Sequence, residues 1–459
     1  SDKNMLNFNS IPQNLICWWQ LILHERFGHS WKISIKANKL VLRLNGNEGK
    51  IIFTEFNKEF YVHGGKIGCQ DLELDKYGLS SLISNKITVP GIKNKNKALI
   101  LHSNGNIQIR YDFFGFIFWA LCRIEEISVV KGDDEHGRFS AYQSHAGKNR
   151  YLDLPLVDIW FDILKQLINR TWPNLNTKKN MFRIRLSHDV DRPSAYGFLN
   201  WPKLLRTISG HLVKRRDFKE VFITLNSKLY STNSIYDNDP FNTFDWIMEL
   251  SEKISVESTF NFICGGTNQK YDADYLIDSN PIKNLLYNIY KRGHKIGLHP
   301  SYDSYNNEEK LSAEFLKLKE TCKNLKIKQE CFGGRTHYLR WEHPKTLQLL
   351  DKIGLTYDNS LGFYDHTGFR CGTCHEYTAF DPIKMKVLNL KIRPLIVMDS
   401  TLFGSNYMNI TSSEEIYDKL LALKRICNLF CGEFTLLWHN SDLIDPSLRK
   451  IYSEFVLSS

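Results

Sequence analysis

The chain is predicted to be an α/β protein: a mostly parallel sheet closed into a barrel over residues 181–459, preceded by a separate α/β or α+β domain. Two observations predict this. From Met181 onward, short strand-like segments alternate with amphipathic helical stretches, and polar residues gather just after the strand ends. Before residue 150 the apolar residues instead follow a period of two over short runs. The later strand-like segments are Phe182–Leu186, Ser258–Ile263, Lys295–Leu298, Glu330–Phe332, Tyr357, Val387–Leu390, Leu395–Val397 and Thr435–Trp438, with helical stretches such as Ile282–Tyr290 and Glu309–Leu325 between them. Such alternation over roughly 280 residues is the pattern of a β/α barrel, whose sites form at the C-terminal mouth.

In the N-terminal region, Lys32–Leu44 (KISIKANKLVLRL) and Gly105–Tyr111 alternate apolar and polar residues, as half-buried strands do. Phe113–Glu126 reads as a buried helix with a charged end. Lys131–Arg150 is polar and Gly-containing, hence a loop. Leu154–Ile168 returns to helical spacing, with Val157, Phe161, Leu164 and Ile168 on one face. The polar, proline-bearing stretch Thr171–Asn180 then marks a boundary, giving an accessory domain over 1–170 and a second domain over 181–459.

The 459 residues are 42% hydrophobic and 24% charged, which excludes a disordered, collagen-like or coiled-coil chain. The longest apolar run, Phe113–Cys122, is about half of a bilayer span, so no transmembrane segment is expected. The N-terminus shows no basic region followed by an apolar stretch. We therefore expect a cytoplasmic protein whose ten cysteines are reduced thiols. The net charge of +10 suits anionic partners such as nucleotides, sugar phosphates, acidic glycans or a membrane surface that the protein contacts peripherally. Its clusters, Lys214-Arg215-Arg216 and Lys93–Lys97, are short, and no nucleic-acid-binding signature is present, so a nucleic-acid partner is not expected. A solvated basic surface is the plainer source of the charge. Nothing in the sequence sets the oligomeric state.

Four motifs carry chemistry. In Ser187-His188-Asp189-Val190-Asp191, two carboxylates two residues apart on a strand point the same way, so one can hold a divalent cation while the other takes a proton from water. A helix cap or a turn would use the same residues. The segment Gly293–Ser301 ends a strand in His299, Arg335-Thr336-His337-Tyr338 offers a cation and an imidazole, and Leu436-Leu437-Trp438-His439-Asn440 delivers a last histidine. Any one of these is commonplace, since a lone histidine is more often a satisfied core or surface residue. Four on one rim are hard to attribute to folding alone.

Together these residues resemble the polysaccharide deacetylases of the NodB-homology type, the family 4 carbohydrate esterases, over about residues 181–459. The segments HDVD, GLHPSY, RTHYLR, GFRCGT, MDSTL and LLWHN look closest to a subgroup that has an extra N-terminal domain and often accompanies surface-glycan (O-antigen or capsule) biosynthesis. The resemblance implies a distorted (β/α) barrel and a metal-dependent hydrolase of carbon–nitrogen bonds that removes the acetyl group from an N-acetylated sugar, nucleotide- or lipid-linked. It implies Asp189 as base, Asp191 and His299 as ligands of a divalent metal (zinc foremost), Arg335 orienting Asp189, His439 as acid, and Asp358 holding His439 in its tautomer. Arg370, Tyr338, Trp438 and Asp399 are then expected at the substrate.

The chain departs from the family pattern at the third ligand. The usual metal motif has a second histidine four residues after the first, where this chain has Asp303, while His337 stands where a proline is usual. We favour His337 over Asp303 and give His188 a supporting role. A glycan-binding pseudoenzyme or assembly subunit is the competing reading. It is permitted by the incomplete motif and opposed by the retention of Asp189, Arg335 and His439.

Cys371-Gly-Thr-Cys374-His375 has the spacing of a c-type haem attachment, which would require export. One CxxC is also half of a tetrahedral zinc site, which Cys427 and Cys431 would complete. The preferred reading is a Gly-punctuated substrate loop over 368–376 with Arg370 poised for a carboxylate or phosphate. In the N-terminal domain, a packing or substrate-presenting module, Asp112, Glu125, Glu126, Asp133, Asp134 and His136 read as solvated faces.

Overall fold

The computed structural model describes residues 5–92, 98–103, 106–127, 129, 132 and 134–458; Lys93–Lys97, Gly105, Lys131 and Asp133 lie outside the described residues. The first sheet has the order β1-β2-β3-β7-β6, from β1 (Trp31–Lys36), β2 (Lys39–Leu44), β3 (Ile51–Phe53), β6 (Ile100–Ser103) and β7 (Asn106–Ile109). Between β3 and β6, β4 (Cys69–Glu73) and β5 (Lys86–Pro90) form a two-stranded ribbon. The Lys32–Leu44 run is a hairpin and not one strand. Ala37 and Asn38 take positive φ (47° and 55°), the left-handed pair that a tight hairpin turn demands, and Lys36 pairs with Lys39.

Helix α1 (Gln13–Phe27), the wholly buried α2 (Phe113–Leu121) and α3 (Leu156–Thr171) pack on this sheet through aromatic contacts such as Phe53–Phe114 and Phe27–Phe161. The expected Phe113–Glu126 helix stops at Leu121 because Arg123 takes a left-handed conformation (φ 48°), and a 3-10 turn, Ile124–Glu126, follows. The expected loop 131–150 holds a short helix, His145–Lys148.

The second sheet has nine strands: β8 (Arg183–Val190), β9 (Ser258–Ile263), β10 (Lys295–His299), β11 (Gly333–Gly334), β12 (Tyr357–Asp358), β13 (Tyr377–Asp381), β14 (Lys386–Ile392), β15 (Val397–Met398) and β16 (Glu433–Leu437). Their order is β13-β14-β12-β11-β10-β9-β8-β16-β15, parallel throughout except for the β13–β14 hairpin. No ladder joins β15 to the opposite edge among the described residues, so hydrogen bonding does not close the sheet. Connectivity nonetheless forces it to curl. β14 and β15 stand seven strand positions apart, about 34 Å in a flat sheet, yet the chain passes from Ile392 to Val397 within a reach of at most about 18 Å. Residues 393–396 bridge the gap: Arg393 N donates to Asp358 O and Leu395 N to Leu361 O on one side, and Ile396 N donates to Thr435 Oγ1 on the other.

β13 is absent from the sequence reading, and the strand expected at Glu330–Phe332 lies at Gly333–Gly334, whose missing side chains leave no apolar signal. The two sheets share a continuous apolar core. α1 lies against β13, where Trp18 Nε1 donates to Thr378 O (2.8 Å). Among the described residues the ten cysteines are all unpaired, and no helix is long and apolar enough to cross a membrane.

Candidate functional site

The curl brings the C-terminal ends of β8, β10 and β16, with the turn after β11, around one point. β8 delivers Asp189 from inside the sheet and Asp191 just beyond its end, β10 ends in His299, the 3-10 turn His337–Leu339 opens on His337, and His439 follows β16. Asp191, His299 and His337 each offer a donor atom, and the three donors lie within 4.8 Å of one another. His299 Nε2 is 3.1 Å and His337 Nε2 3.5 Å from Asp191 Oδ1.

The ring orientations make this group a fit for a cation. His299 Nδ1 lies 2.5 Å from the Arg335 carbonyl oxygen, which only accepts, so Nδ1 carries the hydrogen. His337 Nδ1 likewise faces the Asp272 carboxylate at 3.3 Å. Nε2 of each ring is then aimed at Asp191 Oδ1. Burial acts to lower the His337 pKa, but Asp191 and Asp272 raise it to about 9, and a cation bound here would displace that proton. Asp191 Oδ1 and His299 Nε2 are buried without a hydrogen-bond partner, an arrangement that a shared cation resolves. Two imidazoles and a carboxylate are a donor set of catalytic zinc sites. Asp303 is elsewhere, held by Arg340 Nη1 (2.7 Å). His188 is buried with Nδ1 2.7 Å from Trp438 O, and burial pushes its pKa down to about 4, so the ring is neutral.

Asp189 is the buried carboxylate beside this group. Its Oδ1 accepts from Arg335 Nη1 and Asn261 Nδ2, both at 2.8 Å, while Oδ2 lies 3.8 Å from His299 Nε2. Burial works to raise the Asp189 pKa, but the Arg335 guanidinium and the nearby imidazoles outweigh it, and the pKa is lowered. Arg335 is itself fully buried and further fixed by Ser187 Oγ and the Asn359 side chain and carbonyl. Gly297 on β10 makes room for this contact, because a Cβ there would stand 2.0 Å from Asn261 Oδ1.

His439 is the opposite pole. Its Nδ1 is 2.8 Å from Asp399 Oδ1, its backbone N–H donates to Asp399 Oδ2, and its Nε2 is 3.6 Å from Asp191 Oδ2. Burial acts to lower its pKa, but the charges of Asp399, Asp191 and Asp442 raise it well above the ordinary histidine value. The site thus sets a carboxylate held ionised and an imidazole held protonated on either side of Asp191.

The structure corrects several expectations. Asp358 does not hold His439; it is buried, accepts from Ser360 N and Oγ, and is pushed up to about 6 chiefly by burial. Asp399, expected at the substrate, fills that place instead, fully buried against His439. Arg370 is not poised for an anion, since it is buried against Glu126 (2.6 and 3.0 Å) and the Gly362 carbonyl. Trp438 is fully buried against Tyr452 and so stands behind the site.

The CxxC motif gathers no Cys₄ set. Cys431 is exposed, and the buried Cys374 sits with His375 beside Asp158, whose Oδ1 already meets Arg26 at 2.8 Å. The described acidic N-terminal residues Asp112, Glu126 and Asp134 are not solvated faces either. Asp112 caps α2, Glu126 binds Arg123 and Arg370, and Asp134 binds Arg138. His136 and Arg138 reach the rim, where His136 Nδ1 lies 2.7 Å from Tyr302 Oη and Arg138 donates to the Tyr338 carbonyl. Tyr338 itself is part-exposed in a left-handed conformation (φ 59°), its ring 4.7 Å from that of His337.

Asp272, Asn261, Asp399 as a histidine partner, and Asp442 escaped the sequence reading. Asn261 alone left a signal, as a polar residue within the apolar strand STFNFI.

No curated protein matches the chain in sequence. A family of unknown function (DUF7033) matches residues 7–173. Among solved structures the chain is similar to a protein assigned as a polysaccharide deacetylase from Mycobacterium smegmatis, at 16% identity and a TM-score of 0.40, over 61% of this chain and 84% of that one. It is similar to the Puue allantoinase at 11% identity and a TM-score of 0.35, over 61% and 83% of the two chains. It is also similar to a CE4 family pseudoenzyme from Bacillus anthracis at 10% identity and a TM-score of 0.26, over 60% and 62%.

Proposed function

We propose that the chain is a metal-dependent amide hydrolase that removes the acetyl group from an N-acetylated sugar. The observation that carries this reading is the convergence of Asp191, His299 and His337 between an ionised Asp189 and a protonated His439. Asp191, His299 and His337 would hold a divalent ion, most naturally zinc, which supplies Lewis acidity toward the acetamide carbonyl and the attacking water. Asp189, kept anionic by Arg335 and positioned by Asn261, takes the proton of that water through Oδ2. His439, kept cationic by Asp399, gives its proton to the departing amine. Asp272 fixes the His337 ring, as a carboxylate behind a metal-binding histidine does.

A sugar is the substrate that suits the rim. Tyr271, Tyr302 and Tyr338 pack around His136 next to His337, and Tyr364 and Tyr407 flank Arg138. Together with Asp134, Asp365 and Asn406, this second group lines a cavity of about 350 Å³. Aromatic faces beside polar side chains suit a pyranose. In this reading residues 1–170 are an accessory domain that lends its rim residues to the barrel-like unit of 181–459. The setting we assign, cytoplasmic assembly of O-antigen or capsule from nucleotide- or lipid-linked sugars, rests on the motif resemblance and the +10 charge.

The test is incubation of the zinc-loaded protein with N-acetylated nucleotide sugars and lipid-linked glycans, followed by mass spectrometry. Loss of an acetyl group from one of them, abolished in Asp189→Asn, is the expected result. Bound metal with no acetyl release from any of them would favour a glycan-binding pseudoenzyme.

A further inference from the structure

Residues 191–243 form an excursion from the rim, inserted between β8 and the helix Phe244–Lys253 that leads to β9. Its two feet are pinned beside the site. Asn440, next to His439, donates through Nδ2 to both Arg192 O (3.0 Å) and Phe241 O (2.8 Å), and Asp239 accepts from Ser194 Oγ and Ala195 N. The excursion carries two helical segments, Trp201–Ser209 running on through Gly210–Arg215, and Phe218–Tyr230. They fold back on one another so that Lys228 stands 5.9 Å over the Trp201 ring.

The pair presents apolar side chains outward, and in the second helix the amphipathicity is inverted, whereas the first buries the apolar Leu204. In Phe218–Tyr230 the fully buried positions are the small polar Thr224 and Ser227. Phe218, Phe222, Leu225 and Leu229, spaced i, i+4, i+7 and i+11, form an outward stripe, with Phe218 73% and Phe222 65% exposed. The first segment also exposes Trp201 (54%) and Leu205 (58%), and Val213 at the tip is 77% exposed. Nine of the 21 large apolar side chains exposed among the described residues lie within 201–230. The same stretch has seven basic residues against two acidic ones. Arg206, Lys214, Arg215, Arg216 and Lys219 make no ion pair among the described residues.

We propose that this helical pair is a docking surface for an anionic lipid bilayer, which would lay the rim of the candidate metal site against the membrane. Apolar stripes interleaved with unpaired lysines and arginines are the composition of a helix lying in the headgroup region: aromatic and leucine side chains enter the acyl boundary while the basic heads meet lipid phosphates. Trp201 and Tyr230, at adjoining ends of the pair, are residue types favoured at that interface. A second copy of the chain is a poor occupant, because a two-fold dimer through this patch would set one strongly basic surface against its equal.

Sedimentation of the full chain with sucrose-loaded vesicles tests this. It needs no substrate, so it succeeds or fails independently of the hydrolase reading. We expect binding to phosphatidylcholine vesicles containing phosphatidylglycerol and much weaker binding to phosphatidylcholine alone. Binding should weaken as salt rises from about 0.1 M to about 1 M and the Debye length falls from about 10 Å to about 3 Å. The Phe218→Ser/Phe222→Ser and Lys214→Glu/Arg215→Glu pairs, at exposed positions, should each lose at least about tenfold in affinity while keeping wild-type thermal stability and metal content. The proposal is overturned by absence of binding, equal binding to both vesicle types, or unchanged binding in either pair. It is also overturned if ultracentrifugation finds a dimer that Phe218→Ser/Phe222→Ser dissolves, which would make a second copy the occupant.

Discussion

Asp399 grips His439 twice: one carboxylate oxygen lies 2.8 Å from the ring Nδ1 and the other accepts the backbone N–H of the same residue. The clamp fixes the ring with Nε2 toward Asp191 and favours its charged form. Asp399→Asn leaves the fold room unchanged but withdraws the charge. We expect deacetylation to fall by at least about 10²-fold, the scale of losing a general acid, with metal content unchanged. A full-rate Asp399→Asn enzyme would contradict the role given to His439.

Gly297 is there for Asn261. A methyl group at position 297 would displace the Asn261 side chain and remove one of the two hydrogen bonds to Asp189 Oδ1. Gly297→Ala should therefore depress kcat more than KM, and Asn261→Ala should reproduce the loss in a chain that keeps Gly297. If Gly297→Ala is impaired while Asn261→Ala is not, the argument for Asn261 fails.

Glu126 neutralises two buried guanidiniums, Arg370 at 2.6 Å and Arg123 at 2.7 Å. Glu126→Gln leaves Arg370 without a carboxylate, while Arg123 keeps Glu125 at 2.8 Å, and should destabilise the protein by about 3–5 kcal/mol, read from urea unfolding. A loss below about 1 kcal/mol, as for an exposed pair, would show that Arg370 has another partner in solution.

Asp358 carries a pH signature. Burial, the largest cause, holds its folded pKa at about 6 against an ordinary 3.8. Between these values the folded state keeps a proton that the unfolded chain releases. Wild-type stability therefore falls as pH rises through this window, and the penalty is full above it, at about 3 kcal/mol from about 1.4 kcal/mol per unit. Asp358→Asn, always neutral, should gain on the wild type by that order between about pH 4 and about pH 7.5. A pH-independent difference between the two proteins would show that Asp358 ionises freely when folded.

The sequence made some of this legible and hid the rest for physical reasons. Asp189, Asp191, His299 and His439 are polar residues at or near the ends of apolar strands, and in a curled parallel sheet such ends meet, so their convergence could be anticipated. Arg335 and His337 stand out as a motif of their own, RTHY. Arg370 misled because its charge is cancelled by Glu126, 244 residues earlier, and no local pattern reports a pairing at that range. The Asp358–Asp399 exchange has the same origin: both are acids near strand ends, and only β15 lying beside β16 sets Asp399 against His439. Gly333–Gly334 shows the converse, a strand defined by backbone pairing and invisible to hydropathy. The helical pair at 201–230 draws notice only for its Lys214-Arg215-Arg216 cluster, because hydropathy does not report which face of a helix the fold leaves outside.

The central claim is that Asp191, His299 and His337 hold one divalent ion. Elemental analysis of the purified protein, equilibrated with zinc and desalted, tests it most directly. The account expects one equivalent in the wild type, loss in His299→Ala and in His337→Ala, and retention in Asp303→Asn, whose carboxylate belongs to Arg340. Equal metal in the wild type and both histidine variants, or loss only in Asp303→Asn, would contradict it.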